Sequence, residues 1–222
     1  MKRSIAFVGC VMAALLVIPV GPALATWVGT NCTGTHVDDH YVKRSEAQAY
    51  SAAASGEGYE WGGGCWNNND KDDTPGAPDS SGEGADCSGL TFKTWEMENE
   101  IGKSGWEYWE RLYNVHGPYT TYDFHSPVGS DPFYKLADKK VSTTIYMDAF
   151  AKNGHVAMLY IDQGSPNGTD LMIEALGDAY GMGKFYEGYR DQSEFIGVRR
   201  EDWTDDCWPN CSGPSTDVVT VD

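Results

Sequence analysis

Cys87 follows Asp86 in the segment Ala85-Asp86-Cys87-Ser88-Gly89-Leu90, and an aspartate before a helical run is a capping residue that would put the cysteine in the first helical turn. Unpaired N–H groups and the helix dipole favour an anion at that place, and the thiolate is the nucleophilic form of cysteine. No other cysteine of the chain is so placed. A nucleophile of this kind needs an imidazole to exchange its proton and a third group to orient the imidazole. His155 opens the run His155-Val156-Ala157-Met158-Leu159-Tyr160-Ile161, and Glu174 lies in the next run of the same character. If the two runs pair as strands, their side chains meet. The chemistry expected is attack on an amide carbonyl through a thioester, with no metal and no organic cofactor.

The elements that must position these three groups are legible in outline. Residues 42–55 are rich in alanine and free of Pro and Gly, which predicts a helix stopped by Gly56 and Gly58. The stretch Tyr59-Glu60-Trp61-Gly62-Gly63-Gly64-Cys65-Trp66 follows, then a polar loop dense in turn-formers. A second helix is expected from Asp86 to about Gly102, with Leu90, Met97 and Ile101 on one face. Residues 104–136 are aromatic and interrupted by Pro118, Pro127 and Pro132, and read as a long loop region. Three β-rich runs come next, at 142–150, 155–161 and 170–176, separated by hairpin-like turns, and the run at 194–200 is a candidate closing strand. Helices first and an antiparallel meander afterwards make an α+β fold, with the N-terminal helices packed on a central sheet.

The 222 residues include eight Trp, thirteen Tyr and seven Phe and are 41% hydrophobic, enough apolar surface for one folded domain and too much for a disordered chain. Residues 1–25 have a secretory layout: Lys2 and Arg3, an apolar run from Ile5 to Val20, and Ala23-Leu24-Ala25 as the cleavage site. Cleavage near Ala25 predicts export, to the outside or to a periplasm, with no membrane anchor afterwards. Residues 26–41 would then be an N-terminal extension, 42–203 the catalytic domain, and 204–222 an acidic tail held by a disulfide. Without Lys2 and Arg3 there are 14 basic residues against 33 acidic, a net charge of −19, which repels polyanions and argues against nucleic acid as a partner. The five cysteines beyond residue 25, at 32, 65, 87, 207 and 211, are odd in number. In an oxidising compartment four would pair and one remain a thiol. With Cys87 as that thiol, Cys32, Cys65, Cys207 and Cys211 allow three pairings, and the sequence leaves them open.

Three segments together resemble the NlpC-type papain-like cysteine peptidases of bacterial cell-wall metabolism: Tyr59-Glu60-Trp61-Gly62-Gly63 with Asp86-Cys87-Ser88-Gly89-Leu90, then Gly154-His155-Val156-Ala157, then Ile173-Glu174-Ala175. The resemblance runs from Val42 to about Arg200. It implies a papain-like fold with Cys87 as nucleophile, His155 as general base and Glu174 as the orienting residue, a position where the family more often shows His. It further implies that Tyr59 lines the site or stabilises the oxyanion with the N–H of Cys87, and that Asp86 and Ser88 contact substrate. The implied reaction is hydrolysis of peptidoglycan stem peptides by a monomer. Gly-His-Val-Ala with a downstream Glu also looks like the related CHAP-type amidases.

Each of these residues also has a plainer reading. Cys87 is a candidate disulfide cysteine, His155 a strand-edge histidine and Glu174 a surface carboxylate, in which case the chain is a secreted, disulfide-stapled binding or immunity-type protein without turnover. His36, His40, His116 and His125 are expected to be ordinary histidines, since none stands at metal-ligand spacing. The acidic run at 67–73 lacks the glycine and the final glutamate of a calcium loop and reads as a solvated turn. The aromatics from Trp106 to Tyr134 either pack the loop onto the domain or line a groove.

Overall fold

The computed structural model describes residues 43–66, 84–97, 116–161 and 169–203. The expected cleavage site, the acidic run at 67–73, His36, His40, Cys32, Cys207 and Cys211 lie outside them. Among the described residues no helix is long and apolar enough to cross a membrane.

Helix α1 spans Arg44–Ala52 and buries Arg44, Ala47, Tyr50 and Ser51, a stripe at helical spacing that faces the rest of the domain. Helix α2 spans Cys87–Thr94, and all eight of its residues are buried. Its cap is the expected one: Asp86 is extended and its side chain accepts the N–H of Gly89 at 2.8 Å, satisfying one of the orphan donors of the first turn.

The end of α2 differs from the sequence-based expectation, which ran to about Gly102. The helix stops at Thr94, and Glu96 turns into the left-handed region with φ 46°. The N–H of Met97 then bonds back to the carbonyl of Phe92 at 3.4 Å and that of Glu96 to Lys93 at 3.4 Å, the paired bonds that close a helix in this way. Trp95 enforces the stop. Its indole N–H bonds the carbonyl of Met147 at 2.9 Å, and its ring meets Phe124 at 5.8 Å and Trp203 at 6.5 Å, both edge-on. No Gly or Pro stands at 95–97 to announce it.

The glycine-rich segment has a packing reason. Strands β1, Gly64–Cys65, and β2, Gly84–Ala85, pair antiparallel just ahead of α2, and the N–H of Asp86 bonds to the carbonyl of Gly63 at 3.2 Å. A Cβ on Gly89 would lie 2.1 Å from that same carbonyl oxygen. Backbone, which cannot rotate away as a side chain can, must shift to admit it. Gly89→Ala is therefore expected to lower stability by about 1 to 3 kcal/mol, seen as a fall in the thermal midpoint, and an unchanged midpoint would contradict this docking of α2.

The sheet has six strands: β3 (Phe133–Lys135), β4 (Ala149–Lys152), β5 (His155–Ile161), β6 (Asp170–Gly177), β7 (Gly181–Glu187) and β8 (Ile196–Arg200), in the spatial order β3-β8-β4-β5-β6-β7 with every pair antiparallel. An α+β fold is thus present, with differences in detail. The run at 142–150 contributes only its last residues as strand, because Asp148 accepts the N–H of Ile145 at 2.9 Å and Met147 adopts φ 66°, which makes the preceding segment a turn. The run at 194–200 is not a closing strand but sits between β3 and β4. Strand β7 fell outside the expectation because Gly-Met-Gly-Lys has neither alternation nor β-branched residues; it is held by its register with β6, Glu174 opposite Gly183 and Asp170 opposite Glu187. The 116–136 part of the expected loop contains helix α3 (Thr121–His125) and β3, and Tyr119, Phe124 and Phe133 are buried, with Phe124 stacked on Phe133 at 4.8 Å. For these three aromatics the packing reading holds.

Alternation gives the sheet two apolar faces. Val156, Met158, Tyr160, Ile173 and Ala175 join Leu90, Phe92 and Trp95 in the main core, and α2 packs against β5 and β6. Ala157, Leu159 and Met172 join Phe150, Tyr189 and Phe195 in a second, smaller core. By the same period His155 and Glu174 belong to the second face.

Candidate active site

Three chain segments converge at the start of α2. Cys87 is a free thiol, 7% exposed, in the first turn that the Asp86 cap defines. His155, the first residue of β5, hydrogen-bonds the Cys87 side chain. Its Nε2 lies 2.6 Å from Oε2 of Glu174, so the ring nitrogen left for the thiol is Nδ1. The register accounts for the second contact: β5 and β6 pair Met158 with Ile173, which sets Glu174 two places diagonally from His155 on the same face. The side chain of His155 is 14% exposed and that of Glu174 fully buried.

Burial by itself would push His155 down, since it disfavours imidazolium. The ring's hydrogen bonds with Cys87 and Glu174, and its electrostatic interaction with both, outweigh it, and the pKa is raised from 6.5 to about 9. The imidazole is therefore cationic at neutral pH, which is the partner a thiolate requires.

Tyr189, which no sequence signal marked, completes this arrangement. Its hydroxyl donates to Oε2 of Glu174 at 2.9 Å and lies 3.4 Å from Nε2 of His155. Its ring stacks on Phe195 at 4.2 Å and stands edge-on to the imidazole at 5.6 Å, so the two aromatic rings form an apolar wall beside the histidine. Burial, then the charge of Glu174, raise the phenol and keep it a donor. Glu187, on the same face of β7, is likewise raised, by burial and then by Glu174, with His155 opposing.

Tyr59 pairs through its backbone with Ala85. Its pKa is raised by burial first and then by the charges of Cys87, Asp86 and Asp178, which places the hydroxyl, protonated, within electrostatic reach of the thiol. Beside it Trp61 is 71% exposed.

Asp86 is more than a cap. Oδ2 accepts the N–H of Gly62 at 2.9 Å, and Oδ1 accepts the N–H of Gly89 at 2.8 Å and the hydroxyl of Ser88 at 3.0 Å. His116, which the sequence marked only as standing at no metal-ligand spacing, lies against this cap: its Nε2 stands 3.0 Å from Oδ1 of Asp86 and 2.7 Å from Oγ of Ser88. Its Nδ1 meets the carbonyl of Gly117 at 3.0 Å. Burial would lower His116 and raise Asp86; their mutual hydrogen bond and attraction reverse both, leaving the histidine raised and the carboxyl lowered. All six residues singled out in the sequence, Tyr59, Asp86, Cys87, Ser88, His155 and Glu174, thus meet around one thiol, joined by His116 and Tyr189. His125 remains apart, its Nδ1 at 3.3 Å from the Ser126 hydroxyl. Among the described residues no group of three or more His, Cys, Asp or Glu is arranged to hold a metal ion.

No family model matches the chain, and no curated protein or solved structure matches it either.

Proposed function

We propose that the chain is a secreted cysteine hydrolase of the NlpC-type, papain-like class, acting as a monomer on amide bonds of peptidoglycan stem peptides. The observation that carries the reading is the chain of contacts from the Cys87 thiol to the His155 imidazole to the buried Glu174 carboxylate. In the reaction the Cys87 sulfur attacks the amide carbonyl carbon while His155 holds the proton taken from the thiol. The oxyanion is met by the N–H of Cys87 and the protonated Tyr59 hydroxyl. His155 then gives its proton to the leaving amine as the C–N bond breaks, and water, deprotonated by the same imidazole, cleaves the thioester. Glu174, fixed by Tyr189, keeps Nε2–H oriented and stabilises the cation.

The acidic surface offers an anionic wall polymer no long-range attraction, so recognition rests on local contacts near Asp86, Ser88 and Tyr59. The burial of Cys87 favours a second reading, a secreted binding protein without turnover, in which the thiol is structural. Iodoacetamide applied to the folded, unreduced protein separates the two. Under the hydrolase reading Cys87 is modified at neutral pH, as located by mass spectrometry, and His155→Ala slows the reaction. A Cys87 that reacts only after denaturation supports the second reading and removes the first.

A further inference from the structure

The start of α2 has to hold two anions side by side. Asp86 caps the helix as a carboxylate, and Cys87, the next residue, reacts as a thiolate, so each disfavours the other unless a cation stands close. Both act on the same ground, since Cys87 and Asp86 each bear on the Tyr59 hydroxyl. From the sheet comes one cation, His155, which Glu174 already engages, and Glu187 faces these two from β7 as a further acid. Tyr59 and Tyr189 are held protonated and bring no charge. Asp178 lies on an exposed turn and adds only a screened negative charge. Among the described residues the ion-pair partner of Asp86 is His116, from the segment ahead of α3.

The surroundings of His116 favour an imidazolium. Nδ1 lies 3.0 Å from the carbonyl oxygen of Gly117, which can only accept. Nε2 lies 3.0 Å from Oδ1 of Asp86 and 2.7 Å from Oγ of Ser88, whose hydrogen is directed at that same carboxylate oxygen. Either nitrogen left bare would set a lone pair against an acceptor, so both carry hydrogen. Water screens the pair little, with side-chain exposures of 19% for His116 and 10% for Asp86.

We propose that His116 is a positioning residue for the nucleophile: its imidazolium, paired with Asp86, offsets the charge of the cap carboxylate and so favours the thiolate of the adjacent Cys87. It acts through Asp86, which keeps its hydrogen bonds from the N–H groups of Gly89 and Gly62 while its charge is balanced. The proposal rests on the hydrolase reading and adds to it a second histidine that neither takes nor gives a proton in the reaction.

The test follows alkylation of Cys87 by iodoacetamide in the full-length protein over a pH range of about 4 to 9, the adduct being located by mass spectrometry. His116→Gln keeps a hydrogen-bond donor and loses the charge. In it the rise of labelling with pH is expected to move up by about one pH unit, which is about ten-fold slower labelling on the acid side. Asp86→Asn keeps a capping side chain and removes the charge that needs balancing, so adding His116→Gln to it should move the profile much less. Thermal melting establishes that each variant is folded. A profile unmoved in folded His116→Gln, or moved as far in the Asp86→Asn background, overturns the assignment, while a labelled Cys87 leaves the hydrolase reading standing. Should either variant fail to fold, the wild-type protein decides: nitrogen-15 NMR of its imidazoles should show His116 doubly protonated at neutral pH, and a neutral ring overturns the assignment. A Cys87 inert to iodoacetamide at every pH in the folded wild type overturns the hydrolase reading and this inference with it.

Discussion

Cys87→Ala is expected to abolish hydrolysis of peptidoglycan fragments, with a loss of at least about 10⁴-fold in turnover, and His155→Ala to cost nearly as much, because nucleophile and base act as one unit and removing either leaves only binding and oxyanion contacts. The double variant should therefore be no worse than either single one. Glu174→Gln keeps an acceptor for Nε2–H but removes the charge, and a loss of roughly 10²- to 10⁴-fold is expected. The pH profile adds a signature that a merely structural cluster would lack. The wild-type rate should hold through neutral pH and decline as pH rises through about 9, where His155 loses its proton. In Glu174→Gln that limb moves to lower pH, since a major support of the imidazolium is gone. Stability follows the same sign. The folded pKa lies above the unfolded value of 6.5, so the stabilisation from this cluster is complete below that pH and is lost as pH rises through about 9. Activity of Cys87→Ala equal to wild type in the measured hydrolysis would remove the enzyme reading altogether.

The largest expected effect on stability lies away from the thiol. Asp148 is fully buried between two guanidinium groups: Arg44 Nη1 at 2.9 Å from Oδ1, Arg199 Nε at 2.9 Å from the same oxygen and Arg199 Nη2 at 2.7 Å from Oδ2. The two arginines also bind carbonyls, Arg44 that of Tyr146 at 2.8 Å and Arg199 that of Thr143 at 2.8 Å, and Asp148 gives each of them a buried counter-charge. Asp148→Ala should cost about 3 to 5 kcal/mol, a large share of the roughly 5 to 15 kcal/mol that holds a typical domain together. Asp148→Asn, which keeps the acceptor and loses the charge, should cost less. Urea unfolding read by tryptophan fluorescence measures both, and a midpoint unchanged in Asp148→Ala would show that the triad contributes nothing net. The consequence reaches the site, because Asp148 directly precedes β4, and the last pair of β4 with β5 is Lys152 with His155.

The sequence alone determined the features that depend on near neighbours. Asp86 as cap and Cys87 in the first turn follow from a rule spanning three residues. His155 and Glu174, nineteen residues apart, come together because strand alternation and a hairpin register are short-range facts, legible in two neighbouring runs. The α+β order was equally readable. The tertiary structure alone decided what depends on distant partners. His116 reaches Ser88 across 28 residues, Tyr189 reaches His155 across 34, and Arg44 reaches Asp148 across 104. No pattern of residue types encodes such meetings. The stop of α2 at Thr94 belongs with them, since it is set by the core that seats Trp95 and not by a breaker in the chain. So does β7, whose glycines have weak strand preference and which becomes a strand only because the edge of β6 is there to pair with it. Local chemistry is written in local sequence, whereas the groups that tune it are brought by packing.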